Sequence, residues 1–148
     1  MVVMYAQGNS VSVTKTLESL GFSSEQKSLL SKGQQVIVES SKNNNHIAAI
    51  YKIEGERLIA GIYSAFTTDT TGALAKFSSD ANSLGRALGV KEVELFGANI
   101  INERLESILV KRGFQPGPEI SFEYYSNSVT ADTLRKVINL NNNPKLKL

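Results

Sequence analysis

The sequence contains no cysteine, and it has only one histidine, His46, and three prolines in 148 residues. The absence of cysteine excludes disulfides, thiolate zinc sites, iron–sulfur clusters and cysteine nucleophiles. A single histidine excludes a histidine-rich metal site, and any Ser-His-Asp triad would have to use His46. We therefore expect no metal, and acid–base chemistry has to rest on other side chains.

The sequence also lacks a large excess of charge of one sign. It has 16 Lys and Arg residues and 14 Asp and Glu residues, for a net charge of +2. This balance is too small to indicate binding to nucleic acid or to an anionic membrane. No apolar run approaches the 18 or so residues of a membrane span. The first residues lack the basic segment and cleavage site of a signal peptide. We expect a soluble, cytoplasmic protein without nucleic-acid or membrane partners, and the sequence leaves oligomerisation open.

The chain does have the length and composition of a globular domain, with 41% hydrophobic and 20% charged residues in 148. These values are typical of a chain that buries its own core. No internal repeat is present, and the asparagine run 141–143 precedes a short Lys- and Leu-containing end. We predict a single domain over residues 1–140 and a flexible C-terminal tail over residues 141–148.

Hydrophobic periodicity predicts a mixed α/β fold, with a mostly antiparallel central sheet flanked by helices. Strands 56–66 and 90–96 are predicted to be parallel neighbours, joined by a helix over 72–88. The last helix rests on the spacing of Leu134, Val137 and Ile138. The predicted order is β-α-α-β-β-β-α-β-α-β-α: strand 1–7, helices 11–20 and 24–32, strands 34–40, 46–54 and 56–66, helix 72–88, strand 90–96, helix 103–112, strand 119–125 and helix 131–140.

One place in this fold favours ligand binding, at the end of strand 56–66 and the start of the helix at Gly72. Ligands of open sheets tend to bind where neighbouring strands part and a helix N-terminus points into the gap. Backbone amides at this helix start would favour an anion such as a diphosphate. The alternative is that Thr70 or Thr71 only caps the helix.

A local pattern in the second half of the chain resembles a known family. Val93-Glu94-Leu95 is followed by Asn102 and, eleven residues later, by Gly113-Phe114. With the element order, this pattern resembles the GNAT superfamily of acetyl-CoA-dependent N-acetyltransferases. The resemblance covers residues 12–125 by topology and is specific over 56–114. It implies direct attack of an amine on an acyl-CoA thioester without a metal. Acetyl-CoA is the implied cofactor, and a small-molecule or protein amine is the implied acceptor.

The same resemblance implies a set of cofactor contacts. The backbone at the end of strand 56–66 would hold the pantetheine arm and polarise the thioester carbonyl, and loop 69–73 would meet the pyrophosphate. Asn102 would contact the cofactor or the acceptor amide, although it would also serve as the N-cap of a helix beginning at Glu103. The implied cofactor-binding residues are Phe66, Thr67, Thr70, Thr71, Gly72, Ala73 and Asn102.

Two positions depart from the family pattern. Asp69 stands where the phosphate loop usually has glutamine or arginine, and its charge would repel a pyrophosphate. Leu109 stands where many members have the tyrosine that protonates the leaving thiolate, and leucine donates no proton. Tyr63 or Tyr124 is therefore predicted as the catalytic acid, since a phenol with a pKa near 10 suits a thiolate. The alternative is that both are half-buried strand aromatics.

Other ionisable residues carry weaker signals. His46 is conceivable as a general base, although an exposed strand-end histidine fits the pattern as well. Glu39, Glu54 and Glu56 are further possible bases for a substrate amine. Glu54 and Glu56 flank Gly55 in a predicted turn and are expected to be solvated. The departures at the phosphate loop and at the tyrosine position leave a second hypothesis. In it the protein is a non-catalytic GNAT-like binding or inhibitory protein, such as a phage, toxin or immunity component.

Overall fold

The computed structural model describes residues 10–42, 45–66, 70–98 and 103–140 of the chain. The strand predicted at 1–7 and the tail predicted at 141–148 lie outside these residues, so the domain boundaries stay a prediction. The described residues form helices α1 (Ser10–Ser19), α2 (Ser24–Ser31), α3 (Thr70–Leu88) and α4 (Glu103–Lys111), and strands β1 (Val36–Lys42), β2 (Asn45–Glu54), β3 (Arg57–Phe66), β4 (Glu92–Ala98), β5 (Gln115–Tyr124) and β6 (Asn127–Asn139).

The strands form one sheet in the order β1-β2-β3-β4-β6-β5. Only β3 and β4 are parallel among the strand pairs described, and the other four pairs are antiparallel. Helix α3 connects the parallel pair, as such strands require a long connection. Both the mixed, mostly antiparallel sheet and the parallel pairing of the strands predicted at 56–66 and 90–96 are confirmed.

The C-terminal helix predicted at 131–140 is wrong, because this segment lies in strand β6. Leu134 and Ile138 are spaced four residues apart, which fits one face of a helix and also one face of a strand. Pairing decides between the two, since β6 lies between β4 and β5 and is hydrogen-bonded to both. Long-range pairing has overridden a short local pattern here.

Strand β5 begins at Gln115, earlier than the predicted strand at 119–125, and contains Pro116 and Pro118. It forms one edge of the described sheet, where a proline leaves no ladder hydrogen bond unmade. Its register with β6 shifts between Gly117 and Ile120. The two prolines therefore mark an irregular edge strand, and they do not exclude strand structure.

Helix ends follow their local signals. Ser23 and Gln26 form a capping box, in which the Ser23 hydroxyl accepts from the Gln26 N–H and the Gln26 side chain accepts from the Ser23 N–H. Helix α4 ends at Lys111, and Gly113 follows it with a left-handed φ of 95°. The Phe114 N–H donates to the Leu109 carbonyl at 3.0 Å, and the Phe114 ring packs against the hydrophobic core.

The sheet has two different faces. Its helix face, marked on β3 by Leu58, Ala60 and Ile62, packs into the main core together with buried residues of α1, α2 and α3. Its opposite face carries Arg57, Ile59, Gly61 and Tyr63 of β3. This face has a smaller cluster formed by strand residues alone within the described chain: Ile50, Phe96, Ala98, Phe122 and Ala131, with Ile37, Ile59, Tyr63, Ile120 and Val129 against it.

None of the described helices is long and apolar enough to cross a membrane.

Candidate functional site

The parallel strands β3 and β4 part at their carboxyl ends. Among the described residues, their pairing runs from Arg57 with Glu92 to Ile62 with Gly97. Strand β3 continues to Phe66, whereas β4 ends at Ala98. Helix α3 begins at Thr70, at the same edge of the sheet. The described residues thus form the arrangement expected from the sequence, in which an opening between two strands lies beside a helix N-terminus.

A cavity of about 210 Å³ adjoins this opening on the helix face. Residues of α3, the end of α4 and the neighbouring strands enclose it, and most of them are apolar. Its lining consists of Ile62, Leu74, Phe77, Ser78, Leu95, Phe96, Gly97, Leu109, Arg112, Phe114, Lys136 and Ile138. A concave, mostly apolar site with a few polar groups is the usual form of a small-molecule site.

Two cationic residues belong to the lining of this cavity. Arg112 is exposed just beyond α4, and Lys136 is half-buried on β6. The Lys136 ammonium donates to the Arg112 carbonyl at 2.8 Å and so satisfies a free carbonyl at the helix end. The cavity therefore combines hydrocarbon walls with positive charge at one side. Sequence reasoning missed Lys136, because it placed the segment 131–140 in a helix.

Leu109 is 6% exposed and forms part of the cavity wall. The resemblance to the GNAT superfamily implies a tyrosine at this position, and the structure places the position beside the opening. Among the described residues that line the cavity, Ser78 has the only hydroxyl group and none is a tyrosine. The helix face of the opening therefore offers hydrocarbon where the family pattern has a phenol.

Tyr63 is one of the two tyrosines predicted as catalytic acids. It directly follows Ile62, the last β3 residue that is described as paired with β4. Its half-buried ring lies on the opposite face, with its centroid 4.8 Å from that of Phe122 in an edge-to-face contact. Tyr124 ends β5, two residues after Phe122, so its backbone lies near this contact. Tyr63 comes from a strand that borders the opening, and it is not among the described residues that line the cavity. Their catalytic role stays a prediction.

The predicted cofactor-binding residues lie around the opening where they are described. Phe66 ends β3, and the remaining residues of this group begin α3: Thr70, Thr71, Gly72 and Ala73. The first N–H groups of a helix have no partner within the helix and attract anions. Thr67, Asp69 and Asn102 lie outside the described residues. The assignment of all seven predicted residues to the cofactor stays a prediction.

The opposite face carries an ionic network that sequence reasoning did not find. Arg57 donates to Glu92 at 2.6 and 2.8 Å and to Glu94 at 2.7 Å. Arg135 donates to the second oxygen of Glu94. Glu94 is only 8% exposed, so its carboxylate is buried between two guanidinium groups. The hydrogen bond to Glu92 is the main cause that raises the pKa of Arg57, and burial opposes it.

Arg135 is held by further contacts. Its guanidinium carbon lies 5.1 Å from the centre of the Phe96 ring, within range of a cation–π interaction. Its Nε donates to the Thr133 hydroxyl at 2.9 Å, and that hydroxyl donates to the Pro118 carbonyl at 2.9 Å. The network therefore connects β3, β4, β6 and β5, and its role is to hold the strands that form the opening.

The hairpin between β5 and β6 crosses the opposite face to reach β1. The Tyr125 hydroxyl donates to the Glu39 carboxylate at 2.9 Å. The His46 ring nitrogen lies 3.5 Å from the same carboxylate. Tyr125 and Ser126 both have positive φ, 48° and 63°, as a two-residue hairpin turn requires. Glu39 and His46 are thus brought together at the far edge of the sheet.

Glu54 and Glu56 are exposed and lie near lysines, with Glu54 3.6 Å from Lys52 and Glu56 3.0 Å from Lys91. The exposure of both side chains fits the prediction that the two carboxylates are solvated. No group of three or more metal-ligating residues occurs in the described part of the chain.

No protein-family model matches the chain, and no curated protein does. Solved structures of acetyltransferases are similar to it over most of its length. A protein from Agrobacterium tumefaciens classed as an acetyltransferase is 13% identical, with 85% of each chain covered and a TM-score of 0.42. A GNAT-family acetyltransferase from Streptococcus pneumoniae is 13% identical, with 81% of this chain and 79% of that chain covered and a TM-score of 0.39.

A third similar structure, from Salmonella typhimurium, is classed as an acetyltransferase and was solved with its cofactor acetyl-CoA. It is 10% identical, with 95% of this chain and 92% of that chain covered and a TM-score of 0.39. At these identities and TM-scores the similarity establishes neither the family nor the reaction of this chain.

Proposed function

We propose that this protein is a GNAT-like N-acyltransferase that transfers an acyl group from acyl-CoA to an amine. The observation that carries this proposal is the opening between β3 and β4 beyond Ile62 and Gly97, with a mostly apolar cavity beside it. The start of α3 at the same edge supports a phosphate site for the cofactor. The sequence pattern from Val93 to Phe114 supports the same family.

The chemistry rests on the backbone at the end of β3. The described pairing of β3 with β4 ends at Ile62, and β3 continues to Phe66 beside the opening. We propose that backbone N–H groups at this end of β3 meet the ligand. Such groups would hold the pantetheine arm and donate to the thioester oxygen as negative charge develops there. The neutral acceptor amine attacks the carbonyl carbon, the carbon–sulfur bond breaks and the thiolate leaves. The nitrogen gives up one proton as the amide forms, and the sulfur takes up one proton from the acid. No covalent enzyme intermediate forms.

The thiolate needs a proton donor other than Leu109. Leu109 supplies no proton, and no described lining residue is a tyrosine. Tyr63 is the proposed acid because it directly follows Ile62, the last β3 residue described as paired with β4, and Tyr124 is the second candidate. The amine acceptor, whether a small molecule or a protein, and a cytoplasmic location also belong to this proposal.

A second candidate function is binding of acyl-CoA without transfer. The hydrocarbon of Leu109 at the opening favours it, since loss of a positioned general acid typically lowers a rate by about 10²–10⁴-fold. The cavity and the opening would serve a binding protein equally well. Rate measurements on variants at positions 63, 109 and 124 distinguish the two functions.

Calorimetric titration of the full chain with acetyl-CoA tests the proposal. We expect binding no tighter than roughly micromolar, because the family resemblance puts Asp69 in the phosphate loop, where its charge would repel the phosphates. Asp69→Gln should strengthen binding about tenfold, and Asp69→Glu is the control that keeps the charge. Leu109→Tyr should raise the rate of acetyl transfer if the protein is a transferase. Absence of binding by both wild type and Asp69→Gln would contradict the proposal.

A further inference from the structure

The cavity beside the opening is larger than an acetyl group needs. An apolar cavity of 150 Å³ in another protein holds benzene, which has six carbons. The cavity here has about 210 Å³. The methyl group of an acetyl donor would therefore leave most of this space unfilled, and the lining would lose favourable contacts.

Most of the cavity wall is hydrocarbon, and its polar groups are those of Ser78, Arg112 and Lys136. It extends beside β4 from Gly97, which pairs with Ile62, to Ile138, which pairs with Val93. At the usual rise of a strand, Gly97 and Val93 are about 13 Å apart. Leu74 and Phe77 of α3 and Leu109 of α4 supply further wall residues. Such a space fits an extended alkyl chain and offers few partners to a polar group.

We propose that this cavity accepts the alkyl chain of the donor, and that the donor is an acyl-CoA with a chain of about six to eight carbons. This inference rests on the proposed function. The thioester lies at the opening between Ile62 and Gly97, and the chain enters the cavity towards Leu109 and Ile138. Leu109 then has a positive role, since its side chain contacts the acyl group where a phenol would place a polar hydroxyl.

Titration of the full chain with CoA, acetyl-CoA, hexanoyl-CoA, octanoyl-CoA and free octanoate tests the inference. Each methylene buried in the cavity should strengthen binding by about fourfold. Hexanoyl-CoA should therefore bind at least about 30-fold more tightly than acetyl-CoA over four methylenes, with incomplete burial lowering the ideal gain.

A variant that fills the cavity with a larger side chain tests where the alkyl chain binds. Leu109→Trp should weaken octanoyl-CoA binding by at least about tenfold more than it weakens CoA binding. Val110→Trp is the control, because Val110 is the next residue of α4 and is 52% exposed. Thermal melting shows whether each variant folds. If Leu109→Trp does not fold, Leu74→Phe narrows the cavity from α3 and decides the same question.

The outcomes separate the inference from the proposed function. Equal affinity for acetyl-CoA and octanoyl-CoA would overturn the chain preference and leave the acyltransferase proposal standing. Loss of CoA binding in Leu109→Trp would show that the pantetheine arm fills the cavity, and it would overturn the inference. Free octanoate binding as tightly as octanoyl-CoA would indicate a fatty-acid site instead. No binding of any CoA compound would contradict the proposed function itself.

Discussion

The two faces of the sheet are packed in different ways. The helix face buries apolar side chains under α1, α2 and α3, and it leaves a cavity of about 210 Å³ next to the opening. The opposite face receives no helix within the described residues, and it holds a buried carboxylate, Glu94, between two arginines. Space is left on one face, and a buried carboxylate is paired with two arginines on the other.

This difference shows how the molecule divides its tasks. An ionic network has a fixed geometry, because each charge needs a partner at hydrogen-bond distance. Apolar contacts are non-directional and tolerate a gap that a ligand can fill. The face with the network therefore holds β3 and β4 in register, and the helix face is free to carry the ligand site.

The largest expected effect is on the network. Glu94→Gln removes the charge between Arg57 and Arg135, and we expect it to lower the free energy of unfolding by about 2–3 kcal/mol. This expected loss of unfolding free energy is at the low end of what breaking a buried ion pair costs, because the Arg57 side chain is 37% exposed. Urea unfolding measures the change. Glu92→Gln is the control and should cost less, since Glu92 contacts only Arg57 among the described partners. Equal losses would contradict the central role of Glu94.

Gly61 tests how closely β3 and β4 are packed on the opposite face. A Cβ at Gly61 would overlap the Phe96 ring, which lies directly across from it. Gly61→Ala should therefore lower the free energy of unfolding by about 2 kcal/mol through overpacking. Adding Phe96→Leu should recover part of this loss in urea unfolding. If the losses of Gly61→Ala and Phe96→Leu simply add in the double variant, the Phe96 ring is not what opposes a side chain at position 61.

Gly113 tests the end of the helix that carries Leu109. Its surroundings leave room for a side chain, with the Lys136 Cε 3.7 Å from an added Cβ, so the cost arises from its φ of 95°. Gly113→Val should lower the free energy of unfolding by about 1–2 kcal/mol, and Gly113→Asn should cost less because asparagine tolerates this conformation. Thermal unfolding compares the two. An unchanged melting temperature for Gly113→Val would show that this backbone is not needed.

The smallest effect concerns the main core at alkaline pH. Burial raises the pKa of Tyr51 above its usual value near 10, and the charge of Asp80 acts in the same direction. Above pH 10 the unfolded chain ionises this tyrosine while the folded chain keeps it neutral. The free energy of unfolding should therefore fall by about 1.4 kcal/mol per pH unit from this residue alone.

Tyr51→Phe removes the ionisable group, so its stability should decline less steeply above pH 10 than that of the wild type. Urea unfolding between pH 9 and pH 11 measures both slopes. The same slope in the variant would mean that other groups cause the alkaline loss.

Local signals were sufficient for much of the fold. The stripe of Leu74, Phe77, Ala81 and Leu84 predicted the helix that is now α3, and Gly113 predicted where α4 ends. A helix stripe and a glycine stop depend on residues within one or two turns, so sequence alone can reveal them. The order of strands around α3 then led to the parallel pair and to the ligand position at its carboxyl end.

The segment from Asn127 to Asn139 shows where local signals fail. Its apolar spacing fits both a helix and a strand, and only hydrogen bonding to β4 and β5 makes it a strand. This pairing brings Arg135 to Glu94 and Lys136 to the cavity, across 41 residues of sequence in the first case. A sequence read along one dimension shows none of these contacts, because each depends on which strands become neighbours.

The sequence by itself determined the helices, most strands, the helix stop before Phe114 and the absence of a phenol at position 109, since these depend on residue type and near neighbours. Tertiary structure alone decided the strand β6, the ionic network around Glu94 and the cavity beside Leu109. Each of these arises from side chains that distant strands bring to one face of the sheet, and the free energy that stabilises them exists only once the strands have paired.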